Sequence, residues 1–390
     1  MTEIKLKSYT LKSGLEDIFG EAHQRCFQPD KQSLFLIPDP NIAYKISKYV
    51  ESTGFDYIHK IVLLTKEYLE AIDILKEYLE AFPDKINCQN DKGWTALHLA
   101  SWNSNSNSSE RTVELLLEHS AINVNLQNND GWTALHWACR YSNKTSTERT
   151  VEMLLKHSAI NVNIKDENRR TALQLACLYS KKDSTESTVK LLLGHPTINV
   201  NLQDENGWTA LHLACRFSNR ESTEGTVSML LSHPDINVNI KNDNSETPLY
   251  LACENLNISS TERTVELLLS YSSINVNSQA YEGFTALHWA CQFSNRKSSE
   301  RIVELLLTHP DININLQNIY GETALHLACK NFHRIFSRRI VEMLLAQPDI
   351  NINLQNRTGK TTLHLACKCE DFDDFDDCED KIELVKMLLN

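Results

Sequence analysis

One interval organises this 390-residue chain. A threonine stands at Thr95, Thr133, Thr171, Thr209, Thr247, Thr285, Thr323 and Thr361, each 38 residues after the last. The alanine five residues on recurs in all eight copies, from Ala100 to Ala366, and a cysteine one further on recurs in seven, from Cys139 to Cys367. Periods of about 20–50 residues belong to stacked units, each too small to bury its own apolar face and each completed by its neighbours. The period therefore overrides the two or three domains that length alone suggests. It also removes the disulfide framework that eleven cysteines suggest, because seven of them are copies of one position.

Each unit reads as two short helices and a turn. Thr209 is placed to cap the first, its hydroxyl accepting from an orphan backbone N–H. In the fifth copy Pro248 follows Thr247, and proline is favoured just after a cap. Leu211, Ala214 and Cys215 then share one helix face. The invariant alanine marks a close approach between helices, where a larger side chain would overpack. The second helix has capping-box spacing at Thr145 and Glu148, Asp183 and Glu186, and Ser259 and Glu262, and its stripe is Val227, Leu230 and Leu231.

The stretch "GWTALHLAC…TVSMLLSHPDINVN" resembles the ankyrin repeat, whose signature runs G-x-T-P-L-H-x-A, then V-x-x-L-L and a D-V-N element. The resemblance covers about Leu75–Asn390, with a half-repeat at Leu75–Gln89. It implies an all-α ankyrin-repeat solenoid of stacked helix-turn-helix units with short β-turn fingers. The family period is about 33. Most of the additional residues here fall between the two helices, as in "RFSNRESTEG". No polar capping unit follows the last helix, so that helix is expected to fray or the chain to continue beyond it.

The histidines and cysteines invite a catalytic reading, but residues copied in every unit share one environment. His98, His136, His212, His288, His326 and His364 occupy one helix position, with Gln174 and Tyr250 in the other two copies. The resemblance implies that this histidine bonds within and between repeats. The cysteine column reads as small apolar filling in a reducing compartment. Stacked helices lie about 8–10 Å apart, too far for cross-linking between copies. A second column, His119, His157, His195, His233 and His309, ends the second helix, where a cation or donor suits the helix dipole. His364, Cys367, Cys369 and Cys378 fit no standard zinc spacing, and no phosphate-binding glycine loop is present. We expect no enzyme, cofactor or metal. Asn125, Asn163, Asn201, Asn239, Asn277, Asn315 and Asn353 resemble the asparagine hydroxylated in some ankyrin proteins; a turn-satisfying role is the plainer reading.

Eight of the units of the −12 net charge come from the acidic stretch 370–380, so the remainder is nearly neutral. That argues against a broad nucleic-acid face. The acidic stretch reads as a solvated loop or a dock for a basic partner. No run is long and apolar enough to span a membrane, and we expect an intracellular, cytoplasmic monomer that binds a protein.

Where copies differ, a partner can be read. The resemblance implies binding through the turn fingers and first-helix ends that line the concave face. The fingers carry Trp94, Trp132, Trp208 and Phe284; the helix ends carry Trp102, Arg140, Tyr141, Tyr179, Arg216, Phe217 and Phe293. Tryptophan and arginine are enriched at interface hot spots. Tyr141, Tyr179 and Phe217 read equally as packing beneath the enlarged loops. Buried indoles at Trp132 and Trp208 would exclude the binding reading.

Residues 1–70 form a separate helical segment, and 71–390 the array. Ile37–Tyr68 is weakly similar to an F-box through Ile37–Pro38, Ile42, Ile46, Tyr49–Val50, Asp56, Ile58, Leu64 and Tyr68. That similarity implies a ubiquitin-ligase adaptor; the alternative is a helical cap on the first repeat.

Overall fold

The computed structural model describes residues 54–66, 70–255, 260–293, 297–332, 337–367 and 376–389. The chain divides into two compact units, Met1–Ala172 with Asp183–Thr197, and Leu173–Lys182 with Ile198–Asn390. All regular structure among the described residues is helical. No helix there is long and apolar enough to cross a membrane.

The first unit contains α1 (Tyr57–Val62), α2 (Glu70–Ala81), α3 (Ala96–Asn103), α4 (Glu110–Leu117), α5 (Ala134–Arg140), α6 (Glu148–Lys156) and, from its second segment, α8 (Glu186–Leu193). First helices stack α1 on α3 on α5, and second helices α4 on α6 on α8. Helix α7 (Ala172–Leu178) belongs almost wholly to the second unit. That unit continues through α9 (Ala210–Phe217), α10 (Glu224–Leu231), α11 (Pro248–Glu254), α12 (Glu262–Leu269), α13 (Ala286–Gln292), α14 (Lys297–Leu307), α15 (Ala324–Lys330), α16 (Ser337–Leu345), α17 (Thr362–Ala366) and α18 (Asp376–Leu389). There α9, α11, α13, α15 and α17 stack in order, as do α10, α12, α14, α16 and α18.

Thr95, Thr133, Thr209, Thr247, Thr285, Thr323 and Thr361 cap their first helices as their position predicts. Thr209 Oγ1 accepts from the backbone N–H of His212 at 3.3 Å, and His212 Nδ1 accepts in return from the N–H of Thr209 at 3.1 Å. The second-helix caps differ from the sequence expectation. Thr147, Thr185 and Thr261, two residues beyond Thr145, Asp183 and Ser259, supply the capping oxygens. Glu148, Glu186 and Glu262 thereby become first-turn residues facing the helix dipole. Asp183 instead ion-pairs with Arg140.

The enlarged inter-helix loops are tied down by a buried ladder of hydroxyls. In the first unit Thr150 Oγ1 donates to Ser104 at 2.7 Å, and Ser104 pairs with Ser146 at 3.3 Å. Thr188, Ser142 and Ser184 repeat this arrangement at 2.7 and 3.3 Å. In the second unit Thr226–Ser180–Ser222 and Thr264–Ser218–Ser260 do the same. These hydroxyls are almost wholly buried, so each needs the partner that the ladder supplies.

The repeat hydrogen bonds extend N-terminally to Asp56. Asp56 caps α1, His59 Nδ1 accepts from the N–H of Asp56 at 3.1 Å, and His59 Nε2 donates to the carbonyl of Trp94 at 2.8 Å. Thr65 takes the ladder position, accepting from Thr112 at 2.7 Å.

Candidate partner-binding surface

Two layers build the surface that varies between copies. Behind it runs the histidine column. His98 Nε2 donates to the carbonyl of Trp132 at 2.9 Å, and His136 Nε2 to that of Arg170 at 3.2 Å. In the second unit His212 reaches Glu246 at 3.1 Å and His288 reaches Glu322 at 3.0 Å. Each imidazole thus fixes its own helix start through Nδ1 and the next finger through Nε2. Burial pushes His98, His136 and His212 down to about 4, against hydrogen bonds that favour the charged form. Gln174 keeps the bridge by donating to the carbonyl of Trp208 at 2.6 Å. Tyr250 does not make it; its ring instead meets Trp289 at 6.2 Å.

The cysteines are equally committed to the scaffold. Those of the column from Cys139 to Cys329 are buried and not disulfide-bonded, and burial raises the thiols of Cys177, Cys215, Cys253, Cys291 and Cys329 far from the reactive thiolate range. The turn histidines act oppositely to the expected donors. His119, His157 and His195 accept from the N–H two residues on, at 3.2, 3.3 and 3.4 Å, as do His233 and His309. The turn geometry aims a backbone N–H at Nδ1, so the ring caps the turn rather than the helix dipole.

The repeated asparagines span two copies. Asn125 Nδ2 donates to the carbonyl of Ala159 at 2.7 Å, while its Oδ1 accepts from the N–H of Asn161 at 2.9 Å. Asn239, Asn277 and Asn315 do the same. Both ends of the amide are therefore occupied.

In front of these columns stand the fingers. Gly131 adopts φ 74°, and a Cβ there would lie 2.6 Å from the backbone nitrogen of Glu167, so the turn tip has no room for a side chain. The residue that follows is carried onto the outer face. Trp94, Trp132 and Trp208 are half-buried, as are Trp102, Arg140, Tyr141, Tyr179, Arg216, Phe217 and Phe284, while Phe293 is exposed.

The first unit gathers its aromatic residues into one continuous patch. Trp94 meets Trp102 at 5.3 Å and Trp137 at 4.5 Å between ring centroids. Trp132 meets Trp137 at 4.5 Å, and Tyr141 stacks on Trp137 at 5.9 Å. Arg140 covers Tyr141 at 4.7 Å and ion-pairs with Asp183. Trp137 is the centre of this patch, and the sequence reading missed it. It stands where most copies have leucine, as at Leu99 and Leu213, and that substitution was its signal. Its buried Nε1–H has no hydrogen-bond partner among the described residues, a cost the leucine would not incur.

The second unit distributes its aromatic residues. Arg216 lies over Trp208 at 5.0 Å and over Phe217 at 5.6 Å. Trp289, again in the leucine column, meets Phe293 at 4.1 Å.

Of the F-box-like residues, Ile37–Pro38, Ile42, Ile46, Tyr49–Val50 and Tyr68 lie outside the described residues. Ile58 and Leu64 are buried, and Asp56 caps α1. The stretch 368–375 also lies outside the described residues, and the acidic residues after it begin α18.

The family model of ankyrin repeats matches residues 64–166, 145–241, 221–318 and 296–390. Ankyrin repeat protein L91 of Acanthamoeba polyphaga mimivirus is 36% identical over 86 residues, which span 21% of this chain and 13% of that relative's length. Among solved structures, the ankyrin repeat domain of Bcl-3, a member of the IkappaB protein family, is 25% identical with a TM-score of 0.51, covering 65% of this chain and 99% of that one. EF0377, an ankyrin repeat protein, is 20% identical with a TM-score of 0.46, covering 59% of this chain and 98% of that one.

Proposed function

Because the chain belongs to the ankyrin-repeat family, whose repeats are protein-interaction modules in general, we propose that it is a non-catalytic scaffold that holds a protein partner on its fingers and first-helix ends. The observation that carries this reading is the half-exposed patch of Trp94, Trp102, Trp132, Trp137 and Tyr141. Large aromatic side chains left partly wet, one of them with an indole N–H that has no partner among the described residues, are poor choices for a free surface and good anchors for a bound one. The histidine and cysteine columns, the residue types best suited to chemistry, are spent on holding repeats together.

The test is affinity capture on the full chain, with quantitative mass spectrometry, comparing wild type with Trp94→Ala and Trp132→Ala. Both positions are surface-facing, so each variant should keep the wild-type circular dichroism spectrum. Proteins retained by wild type and lost tenfold or more from both variants are the expected result. Equal recovery by all three would overturn the proposal.

A further inference from the structure

Asn206 and Gly207 form the only Asn–Gly step in the sequence. The step lies at the tip of the fourth finger, just before Trp208. Two other copies place an asparagine at the same turn position, Asn168 before Arg169 and Asn244 before Ser245. All three asparagines are exposed, and each precedes a residue in the left-handed region, at φ 58° for Arg169, 77° for Gly207 and 61° for Ser245. The three turns are alike, and the residue after the asparagine sets them apart.

An asparagine side-chain amide can be attacked by the backbone nitrogen of the next residue. The reaction needs a side chain that is not held elsewhere and a nitrogen that no Cβ crowds. Asn206 meets both conditions. Among the described residues its hydrogen bonds are those of its backbone: the N–H donates to Asp204 Oδ1 at 2.9 Å, and the carbonyl accepts from the N–H of Asp243 at 3.1 Å. The nitrogen of Gly207 is also the most loosely held of the three. Its N–H reaches the carbonyl of Asp204 at 3.2 Å, whereas Arg169 reaches Asp166 at 2.8 Å and Ser245 reaches Asn242 at 2.9 Å. Asp130–Gly131 has the same glycine, but there the side chain is a carboxylate, a poorer electrophile than an amide, and it accepts from Asn128 Nδ2 at 3.2 Å. Nor can the fold exchange Gly207 for a slower residue, because a Cβ there would lie 2.7 Å from Asp243 Oδ1.

We propose that Asn206 is a site of spontaneous deamidation, and that its main product opens the fourth finger. The nitrogen of Gly207 gives up its proton and bonds to Cγ of Asn206, and ammonia leaves from Cγ. Water then opens the cyclic imide. Attack at Cγ gives aspartate; attack at the main-chain carbonyl carbon gives isoaspartate, whose chain runs through Cβ and Cγ. The net change is amide plus water to carboxylate plus ammonia. Isoaspartate lengthens the turn by one carbon, so the carbonyl that holds the Asp243 N–H moves away. It also adds a negative charge close in sequence to Asp204 and Glu205 and bonded through its backbone to Asp243. The inference concerns the chemistry of the finger and stands apart from the scaffold reading.

The experiment ages the full chain at mildly alkaline pH and body temperature for several weeks, beside an Asn206→Ser variant. That variant keeps Gly207 and removes the electrophile. Peptide mapping by mass spectrometry follows residues 168, 206 and 244 in the same digest. Asn206 is expected to convert at least tenfold faster than Asn168 or Asn244. An isoaspartyl methyltransferase with labelled S-adenosylmethionine should load methyl groups onto aged wild type and leave the aged variant near background. Asn206 intact while either other asparagine converts, equal rates at all three, no conversion at all, or equal methyl loading of wild type and variant would each overturn the site. Hydrogen exchange tests the consequence. The amide of Asp243 should exchange at least tenfold faster in the aged wild-type fraction that carries isoaspartate than in the aged variant, and equal exchange defeats the opening of the finger.

Discussion

The fourth and fifth copies are neighbours with the same helices, yet they are held differently. In the fourth, Gly207 takes the left-handed turn at φ 77°, and His212 joins its own helix start to the carbonyl of Glu246. In the fifth, Ser245 takes that turn at φ 61°, and Tyr250 stands where the histidine would be. Thr247 still caps α11, and Leu249, Leu251 and Ala252 remain buried. The difference teaches that cap and core suffice to form a repeat. The histidine bridge adds stability, and the fifth copy, with Tyr250 in its place, does without it.

Acid should separate the two copies most strongly. Burial makes His98, His136 and His212 harder to protonate in the fold, at about 4, than in the unfolded chain, where imidazole keeps its ordinary value of about 6.5. The unfolded chain therefore binds more protons through that window. Stability is full above about pH 6.5 and falls as pH drops toward 4, by roughly 3 kcal/mol for each such histidine. Hydrogen exchange at pH 5 against pH 7 should show protection lost around Thr209–His212 before it is lost around Thr247–Tyr250. Uniform loss would mean that the bridge does not distinguish the copies.

Removing the bridge directly should have the next largest effect. His212→Leu leaves the N–H of Thr209 and the carbonyl of Glu246 without their partner, a cost of about 2–4 kcal/mol in urea unfolding. Tyr250→Phe, which breaks no such bond, should cost less than about 1 kcal/mol. A smaller change sharpens the contrast from the other side. Glu254→Lys would set an ammonium eight residues after Glu246, as Lys330 stands after Glu322, with which it ion-pairs in the seventh copy, and should raise stability by about 1 kcal/mol at most, seen as a higher Tm. Smallest of all, Ser245→Gly should stabilise by about 0.5–1 kcal/mol by relieving a left-handed conformation. Gly207→Ser should do the reverse and more, because a Cβ there meets the Asp243 carboxylate at 2.7 Å.

How much of this could be read in advance follows from what repeats. The capping threonine, the histidine bridge and the buried cysteines are legible because eight, six and seven of the eight copies respectively carry them. The fingers are legible as the place where copies disagree. Trp137 was not, since a large residue in a leucine column looks like core filling until its neighbours Trp94, on the preceding finger, and Trp132, on its own, are known. Asp56 and His59 were hidden because aspartate replaces threonine and the step to Thr95 is 39 residues rather than 38. The turn histidines were assigned the wrong polarity: spacing gives their place at the helix end but not which backbone group points at the ring.

The hydroxyl ladder has a consequence for how such a chain can change. Thr150 completes Ser104, and Thr188 completes Ser142, so each copy carries one half of a joint whose other half belongs to the copy before it. Whole 38-residue units can be gained or lost by recombination at any matching point, because the halves still meet. A unit of the shorter ankyrin length inserted among them would strand hydroxyls on both sides. The copies are interchangeable parts, but only with parts cut to the same pattern.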